Sequence, residues 1–297
     1  MTTSLNDAKP SSRAKLSYTP GRVTKRLLRD RLGMICLLGL VILVFIGVLA
    51  QFWTPMDPDA QSLENRLEGP SGQYWLGTDP VGRDILSRLM IATGVSLSAA
   101  VLAVGIGILL GATLGLVAGY LGGLFDSLTS RVSDVLLSLP PLLFAIAIVG
   151  ALGPSLTNAM LAVGVLLAPR FFRLVRVSTQ EIVNEDYVEA ARSGGAGPLR
   201  IIFRHVAPNI VSPLLIQISF GASVAIVSES GLSFLGLGVQ PPTASWGSMV
   251  KEGFDNLAVN GWTIIPASAM IIGTILILSL FGDSLRDAVG GQGGSKV

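Results

Sequence analysis

Histidine and cysteine are almost missing from this chain, with His205 and Cys36 as the single examples. One thiol excludes a disulfide framework within the chain, and one imidazole beside one thiol excludes zinc sites built from Cys and His clusters. Haem, iron–sulfur and triad chemistry that needs histidine is equally poorly served. Charge is the next scarcity. Asp, Glu, Lys and Arg make up 13% of the 297 residues, and 50% are hydrophobic; a soluble domain carries about 25% charged residues. A chain of this length can bury one sizeable core, but it has too few charged side chains to coat it. With a mean hydropathy of +0.65, the missing surface is expected to face lipid; the other way to hide it is a set of hydrophobic hairpins buried in a large soluble protein. No Gly-x-x-x-x-Gly-Lys-Ser/Thr loop occurs, so a phosphate cradle for ATP is lacking as well.

The few charges are unevenly placed. Residues 1–31 form a basic arm with Lys9, Arg13, Lys15, Arg22, Lys25, Arg26, Arg29 and Arg31 against Asp7 and Asp30. A long apolar run follows at once, which favours anchoring on anionic lipid over binding nucleic acid. That run, Leu32 to Met56, has no charge and no Ala-x-Ala pattern before Trp53, so it is read as a retained span rather than a signal peptide. Further uncharged stretches predict six spans, at 32–52, 95–118, 133–150, 156–175, 208–230 and 262–282, with a turn at Gly153-Pro154-Ser155 between the third and fourth. The fold class is therefore an all-α polytopic membrane protein. Cytoplasmic termini place 17 Lys or Arg inside and only Arg66, Arg83, Arg88 and Lys251 outside, the bias seen in inner-membrane proteins. The resulting division is a cytoplasmic arm 1–31, a first span 32–52, an extracytoplasmic loop 53–92, a core 93–284 with five spans and a cytoplasmic segment 176–208, and a cytoplasmic tail 285–297.

Gly107, Gly111, Gly115 and Gly119 recur every fourth residue, slightly more than one helical turn, and predict a groove where a second helix comes close. Between the fourth and fifth spans, Ile182 to Arg192 reads as a helix, Gly194 and Gly195 stop it, and Pro198 starts another. This helix–bend–helix is partly apolar and suits insertion into a groove on a partner. Glu189 has no second carboxylate, histidine or nucleophile arranged with it, so an ion pair or interface contact outweighs acid catalysis. Arg192, Arg200 and Arg204 suit a partner subunit or anionic lipid heads. Glu229 ends an uncharged span, where exposure would be costly; an interfacial position, pairing within the bundle or a place on a pathway each answer that cost. Asp79, Arg83 and Asp84 suit ion pairs within the loop, a delivery protein or cargo.

Glu189-Ala190-Ala191-x-x-x-Gly195, with Pro208 thirteen residues after the glycine, resembles the EAA loop of ABC-importer permeases. The order of other motifs narrows this to the dipeptide, oligopeptide and nickel permease family, of the DppC or OppC type. Trp75-Leu-Gly77-Thr78-Asp79-Pro-Val-Gly82-Arg83-Asp84-Ile-Leu-Ser-Arg88 is similar to that family's LGTDxxGRDxxSR signature, and Gly119-Tyr-Leu-Gly-Gly123, Leu232-Ser-Phe-Leu-Gly-Leu-Gly238 and Gly282-Asp-Ser-Leu-Arg-Asp287 follow in sequence. Ser193-Gly194-Gly195 and Ala207 depart from the family pattern by removing apolar bulk from the loop. The resemblance covers residues 20–289. It implies a type I ABC-importer permease fold, a homologous second permease, two ATP-binding cassette subunits that hold ATP and Mg, an extracytoplasmic binding protein that delivers peptide, and no chemistry by this chain itself. It places Glu189, Ala190, Ala191, Arg192, Gly195, Arg200, Arg204 and Pro208 at the ATPase and Glu229 beside the gate. Nickel, glutathione and short glycopeptides are the other cargoes it allows. An ion-coupled secondary transporter would need a midplane ion site, and a membrane scaffold would need none of these partners.

Overall fold

A computed structural model describes residues 26–290. The described residues are predominantly helical and contain no strand, only one isolated bridge between Thr78 and Asp84. Helix α1 (Arg31–Leu49) starts at Asp30, whose carboxylate accepts from the amides of Leu32 at 3.1 Å and Gly33 at 3.0 Å and so satisfies two of the orphan donors of a helix start. The Ser284 hydroxyl, together with these amides, holds the Asp30 carboxyl below the usual carboxylate range. After an irregular loop come α2 (Ile85–Leu121), α3 (Gly123–Ser138), α4 (Pro141–Leu152), α5 (Leu156–Val183) and α6 (Asp186–Ser193). A short α7 (Pro198–Ile201) passes through one π-helical turn, Ile202–Val206, into α8 (Ala207–Phe234), followed by α9 (Trp246–Asp255) and α10 (Ile264–Gly290).

By length and composition, four spans among the described residues can cross a membrane, namely α1, α2, α7 continued into α8, and α10 with its preceding turn; α3 with α4 makes a fifth if the pair counts as one. The expected third span, 133–150, is thus not a straight helix. Its two halves meet at 94°. Pro140 and Pro141 explain the break: each lacks an amide proton, and a proline disfavours helical geometry in the residue before it, so Leu139 is extended at φ −79°, ψ 134°. The expected fourth span, 156–175, lies within the 28-residue α5, whose second half carries Arg170, Arg173 and Arg176 and runs on to Val183. Gly153, at φ +90°, and a Ser155 cap on Asn158 N separate α4 from α5. At the C-terminus, α10 continues to Gly290 with Leu285 and Ala288 buried, so the expected tail 285–297 begins inside a helix. Residues 1–25 of the arm and 291–297 of the tail lie outside the described residues.

The core is centred on α2 and α5. On α2, Gly107, Gly111, Gly115 and Gly119 are all buried and face α5. A β-carbon at Gly111 would sit 2.1 Å from the Ala168 carbonyl oxygen, one at Gly115 2.6 Å from that of Phe172, and one at Gly119 2.7 Å from that of Arg176. Backbone meets backbone along three turns, which no side chain larger than hydrogen permits. Around this seam Ala103, Val104, Val163, Leu167, Phe171 and Ile226 form the apolar centre. The outer faces of α1, α3 and α10 expose Ile35, Phe45, Leu124, Val132 and Ile272, the surface a lipid or protein neighbour must cover.

Replacing Gly111 by Leu is expected to cost more than the roughly 1–3 kcal/mol of ordinary overpacking, because the obstructing atoms are backbone. Gly105→Ala, where a β-carbon meets open space, is expected to be neutral or slightly stabilising. Thermal unfolding of the two variants in detergent distinguishes them, and equal melting temperatures would contradict the seam.

Candidate functional site

The signature 77–84 builds a folded loop. Asp79 Oδ1 accepts from the amides of Val81 and Arg83, both at 2.9 Å, while its Oδ2 meets Arg83 Nε at 2.6 Å. Gly82 takes φ +80°, and a β-carbon there would lie 1.8 Å from the Ser62 carbonyl oxygen, so only glycine fits. Thr78 is fully buried and accepts from Glu68 N while donating to the Asn65 carbonyl. Gly77 is also left-handed, at φ +79°. Asp84 caps α2 through Ser87 N at 2.9 Å and Ser87 Oγ at 2.6 Å. In this structure Asp79, Arg83 and Asp84 are therefore engaged with partners in the loop and in the helices it meets.

From the first turn of α2, Arg88 points into the same cluster and is only 2% exposed. Its guanidinium reaches Glu252 Oε1 at 3.3 Å, Asp79 Oδ2 at 3.4 Å and Asp59 at 3.9 Å, and Arg83 lies 3.5 Å from the same Glu252. This joins the loop, α2 and α9. Asn260 Nδ2 to the Leu67 carbonyl and Trp262 Nε1 to the Leu76 carbonyl, both 2.9 Å, tie the loop to the entry of α10 as well. Glu252 has no sequence signal of its own: it is one acid on a short amphipathic helix, and only the fold brings it to two arginines.

Glu229 is fully buried in α8. No Lys, Arg or His lies in contact with it among the described residues; hydroxyls surround it instead. Ser233 Oγ donates to Oε1 at 2.7 Å, Ser96 Oγ of α2 to Oε2 at 3.3 Å, and Ser230 Oγ stands at 3.5 Å. Ser96 Oγ in turn accepts from the Trp246 amide at 3.2 Å. Glu229 thus links α8 to α2 and, through one hydroxyl, to the start of α9. Ser96 and Ser233 do not stand out in a sequence rich in serine.

The segment expected to couple begins later than 176 and 182 suggest, since α5 stays continuous to Val183 and breaks at Asn184–Glu185. Val188, Ile201, Val206 and Ile210 then pack with Val175 against the end of α2. Gly195, at φ +83°, makes the bend, with its amide and that of Ala196 closing back on Arg192 and Ala191 carbonyls. Burying one side leaves the other side bare. Tyr187, Leu199 and Phe203 are exposed at 44%, 70% and 70%, and Glu189, Ala190, Arg192, Arg200, Arg204 and Pro208 are exposed beside them, with Ala191 half-buried. Desolvation and the nearby Glu185 charge push the Tyr187 phenol up from its ordinary value. The His205 ring lies 5.9 Å from that of Tyr187, tilted by 51°.

Arg88→Ala is expected to destabilise by about 3 kcal/mol, because it strands Glu252 and Asp79 without their shared cation. Faster proteolytic cleavage within residues 53–84 would report the loosened loop; wild-type resistance would contradict the clamp. At Glu229, Gln keeps an acceptor for the serines, whereas Ala leaves buried hydroxyls unpaired at a cost of about 2 kcal/mol. The melting temperature should therefore fall more for Glu229→Ala than for Glu229→Gln.

Comparison with known proteins fits this arrangement. Residues 107–290 match the family model described as binding-protein-dependent transport system inner membrane component, and residues 19–70 match the N-terminal TM domain of oligopeptide transport permease C. The chain is similar to the glutathione transport system permease protein GsiD of Pectobacterium atrosepticum, at 39% identity over 282 residues and 94% of each chain. It is also similar to the dipeptide transport system permease protein DppC of Alkalihalophilus pseudofirmus, 37% identical over 89% of this chain and 87% of the relative. A further relative is the di/tripeptide transport system permease protein DppC of Pseudomonas aeruginosa, 39% identical over 85% and 86%. Among solved structures, an inward-facing MetNI methionine ABC transporter aligns over 68% of this chain and 96% of its own with a TM-score of 0.55 at 16% identity, a likeness of fold alone. An all-α membrane architecture, the ordered signatures and these matches agree: the chain belongs to the family of binding-protein-dependent transport system inner membrane components, the permease subunits of ABC importers.

Proposed function

We propose that this chain forms one half of a peptide passage, paired with a homologous permease, and imports di- or oligopeptides released by an extracytoplasmic binding protein. Two cassette ATPases on the cytoplasmic side hold ATP and Mg and perform the hydrolysis. This chain supplies path and coupling without chemistry of its own. Six spans, with α5 as the fourth and both termini cytoplasmic, put Glu189 to Pro208 on the ATPase side and the loop 53–92 on the side of the binding protein. The charge bias supports that orientation.

One observation carries the coupling role: α6 and α7 bury Val188 and Ile201 against the bundle while exposing Tyr187, Leu199 and Phe203 among four charged residues. An apolar patch rimmed by Glu189, Arg192, Arg200 and Arg204 suits a groove on a protein partner better than water. ATP-driven closure of the ATPases would displace this patch, and α5 and α8, which flank it, would carry the displacement into the core. Alternating access is then a shift between two packings, each favoured by a different nucleotide state.

The peptide assignment rests on relatives named for dipeptides and di/tripeptides. Glutathione is the second reading, favoured by the relative matching 94% of the chain; it is itself a tripeptide with the same amino and carboxylate groups. Calorimetry on the cognate binding protein with dipeptides, tripeptides, glutathione and nickel decides between them.

Deleting Glu189 to Gly195 is expected to abolish the stimulation of ATPase activity by loaded binding protein in reconstituted vesicles while leaving membrane insertion intact. Stimulation unchanged by the deletion would remove the docking assignment.

A further inference from the structure

Beneath the segment that docks, one ion pair joins three helices. Asp126 stands in the first turn of α3, right after Gly122 and Gly123, whose φ values of +64° and +60° turn the chain out of α2. Its carboxylate is gripped from α5 by Arg176: Nε donates to Oδ1 and a terminal nitrogen to Oδ2 at 2.7 Å, the parallel two-bond geometry that fixes orientation as well as distance. Gln180 Nε2 adds a contact at 3.3 Å and Ser130 Oγ another at 3.4 Å. The backbone of Arg176 is meanwhile wedged into the glycine seam, so that β-carbons at Gly115 and Gly119 would lie 3.2 Å from its nitrogen and 2.7 Å from its oxygen. Arg176 thus touches α2 with its main chain and α3 with its side chain. Two turns further on, the same helix ends at Val183 and opens into α6.

A second pair between the same helices serves as an internal contrast. Arg173 and Asp134 meet at 2.6 Å, but their side chains are 56% and 63% exposed, against 29% and 12% for Arg176 and Asp126. Water competes freely for the outer pair, which by itself contributes about 0–1 kcal/mol. The inner pair has four donors converging on one carboxylate and no comparable freedom.

We propose that Asp126 and Arg176 are positioning residues for transport: they form a rigid strut that makes the start of the bent α3–α4 pair follow α5 when the docking segment moves. The broken span has no other ionic link of this burial to α5 among the described residues, and its 94° corner lets its far half swing when its near half is pulled. Without the strut, α6 still docks and α5 still moves, but α3 is held to it only by apolar side chains and the exposed Arg173–Asp134 pair. The proposal rests on the coupling role assigned to Glu189 to Pro208.

The test uses the whole transporter, reconstituted with its partner permease, both ATPases and the binding protein. Asp126→Asn and Arg176→Lys, which keep size or charge but lose the two-bond grip, are expected to lower transport per ATP hydrolysed by about fivefold, a normal magnitude for a coupling residue. Asp134→Asn is expected to change that ratio by less than about twofold, as an exposed pair should. Basal ATPase activity and co-purification of the subunits should stay at wild-type levels in all three. Spin labels at Ser127→Cys and Asn184→Cys, in a Cys36→Ser background, read the strut directly: one narrow distance with and without ATP in the otherwise wild-type chain, and a broadened one with Asp126→Asn. An unbroadened distance, or transport per ATP preserved in Asp126→Asn, overturns the proposal. The label distance reports on α3 and α5 whatever binds α6, so failure of the docking assignment would appear separately, as stimulation surviving the 189–195 deletion.

Discussion

The contact between α2 and α5 constrains everything built around it. In lipid there is little hydrophobic gain in bringing two helices together, so close packing and shielded polar contacts must supply the attraction. Four glycines spaced by four residues provide this by letting the α5 backbone settle against the α2 backbone from Ala168 to Arg176, with Leu167 and Phe171 side chains filling the space at Gly107. The pair then acts as the frame against which α8, α9 and α4 are laid. Phe171, between Gly107 and Gly221, fixes the rotation of α5 in the groove. A helix so placed cannot rotate or slide without lifting out of the seam.

Polar groups are spent at the two ends and in one pocket of this frame, and each is tied to several elements. At one end Arg88 draws together Asp79, Asp59 and Glu252; at the other, Arg176 holds Asp126. Between them Glu229 collects the hydroxyls of three serines. Buried ionic groups seldom raise stability over a well-packed apolar core, but they enforce one geometry because any other leaves a charge unmatched. For a protein whose parts must return to the same positions in every cycle, that selectivity is worth more than additional stability.

Much of this was legible in the sequence, and the reasons for success and failure differ by residue. The glycine spacing pointed to a close helix pair, because a four-residue repeat lines up along one side of a helix; it did not say which helix would fill the groove. The bend at Gly195 and the helix start at Pro198 follow from backbone chemistry alone, and both are observed. By contrast, residues 133–150 looked like one span because hydropathy ignores direction, and Pro140-Pro141 turn it through 94°. The end of α5 was set too early, at 175, because Arg176 and the charged residues after it read as the start of a cytoplasmic segment, when that arginine faces a carboxylate and the helix carries on to Val183. Glu252 and Asp126 were invisible for a common reason. Each acts with a partner far away in sequence, at separations of 164 and 50 residues, and a single chain read in order contains no sign of such a pairing.

The length of α2 has a mechanical consequence. Its 37 residues make a rod of about 55 Å, against a hydrocarbon layer of about 30 Å. The glycine seam holds its last third, residues 107–119, so about 42 Å of rod lie on the N-terminal side of the seam's centre and about 12 Å on the C-terminal side. Tilting it by about 10° about that centre would displace the N-terminal tip, with the Arg88 cluster it carries, by roughly 7 Å and the C-terminal tip by roughly 2 Å. Movements of that size are those of whole elements sliding past one another, and a rod held so far from its centre converts a slight adjustment at its C-terminal end into a larger displacement at its N-terminal end.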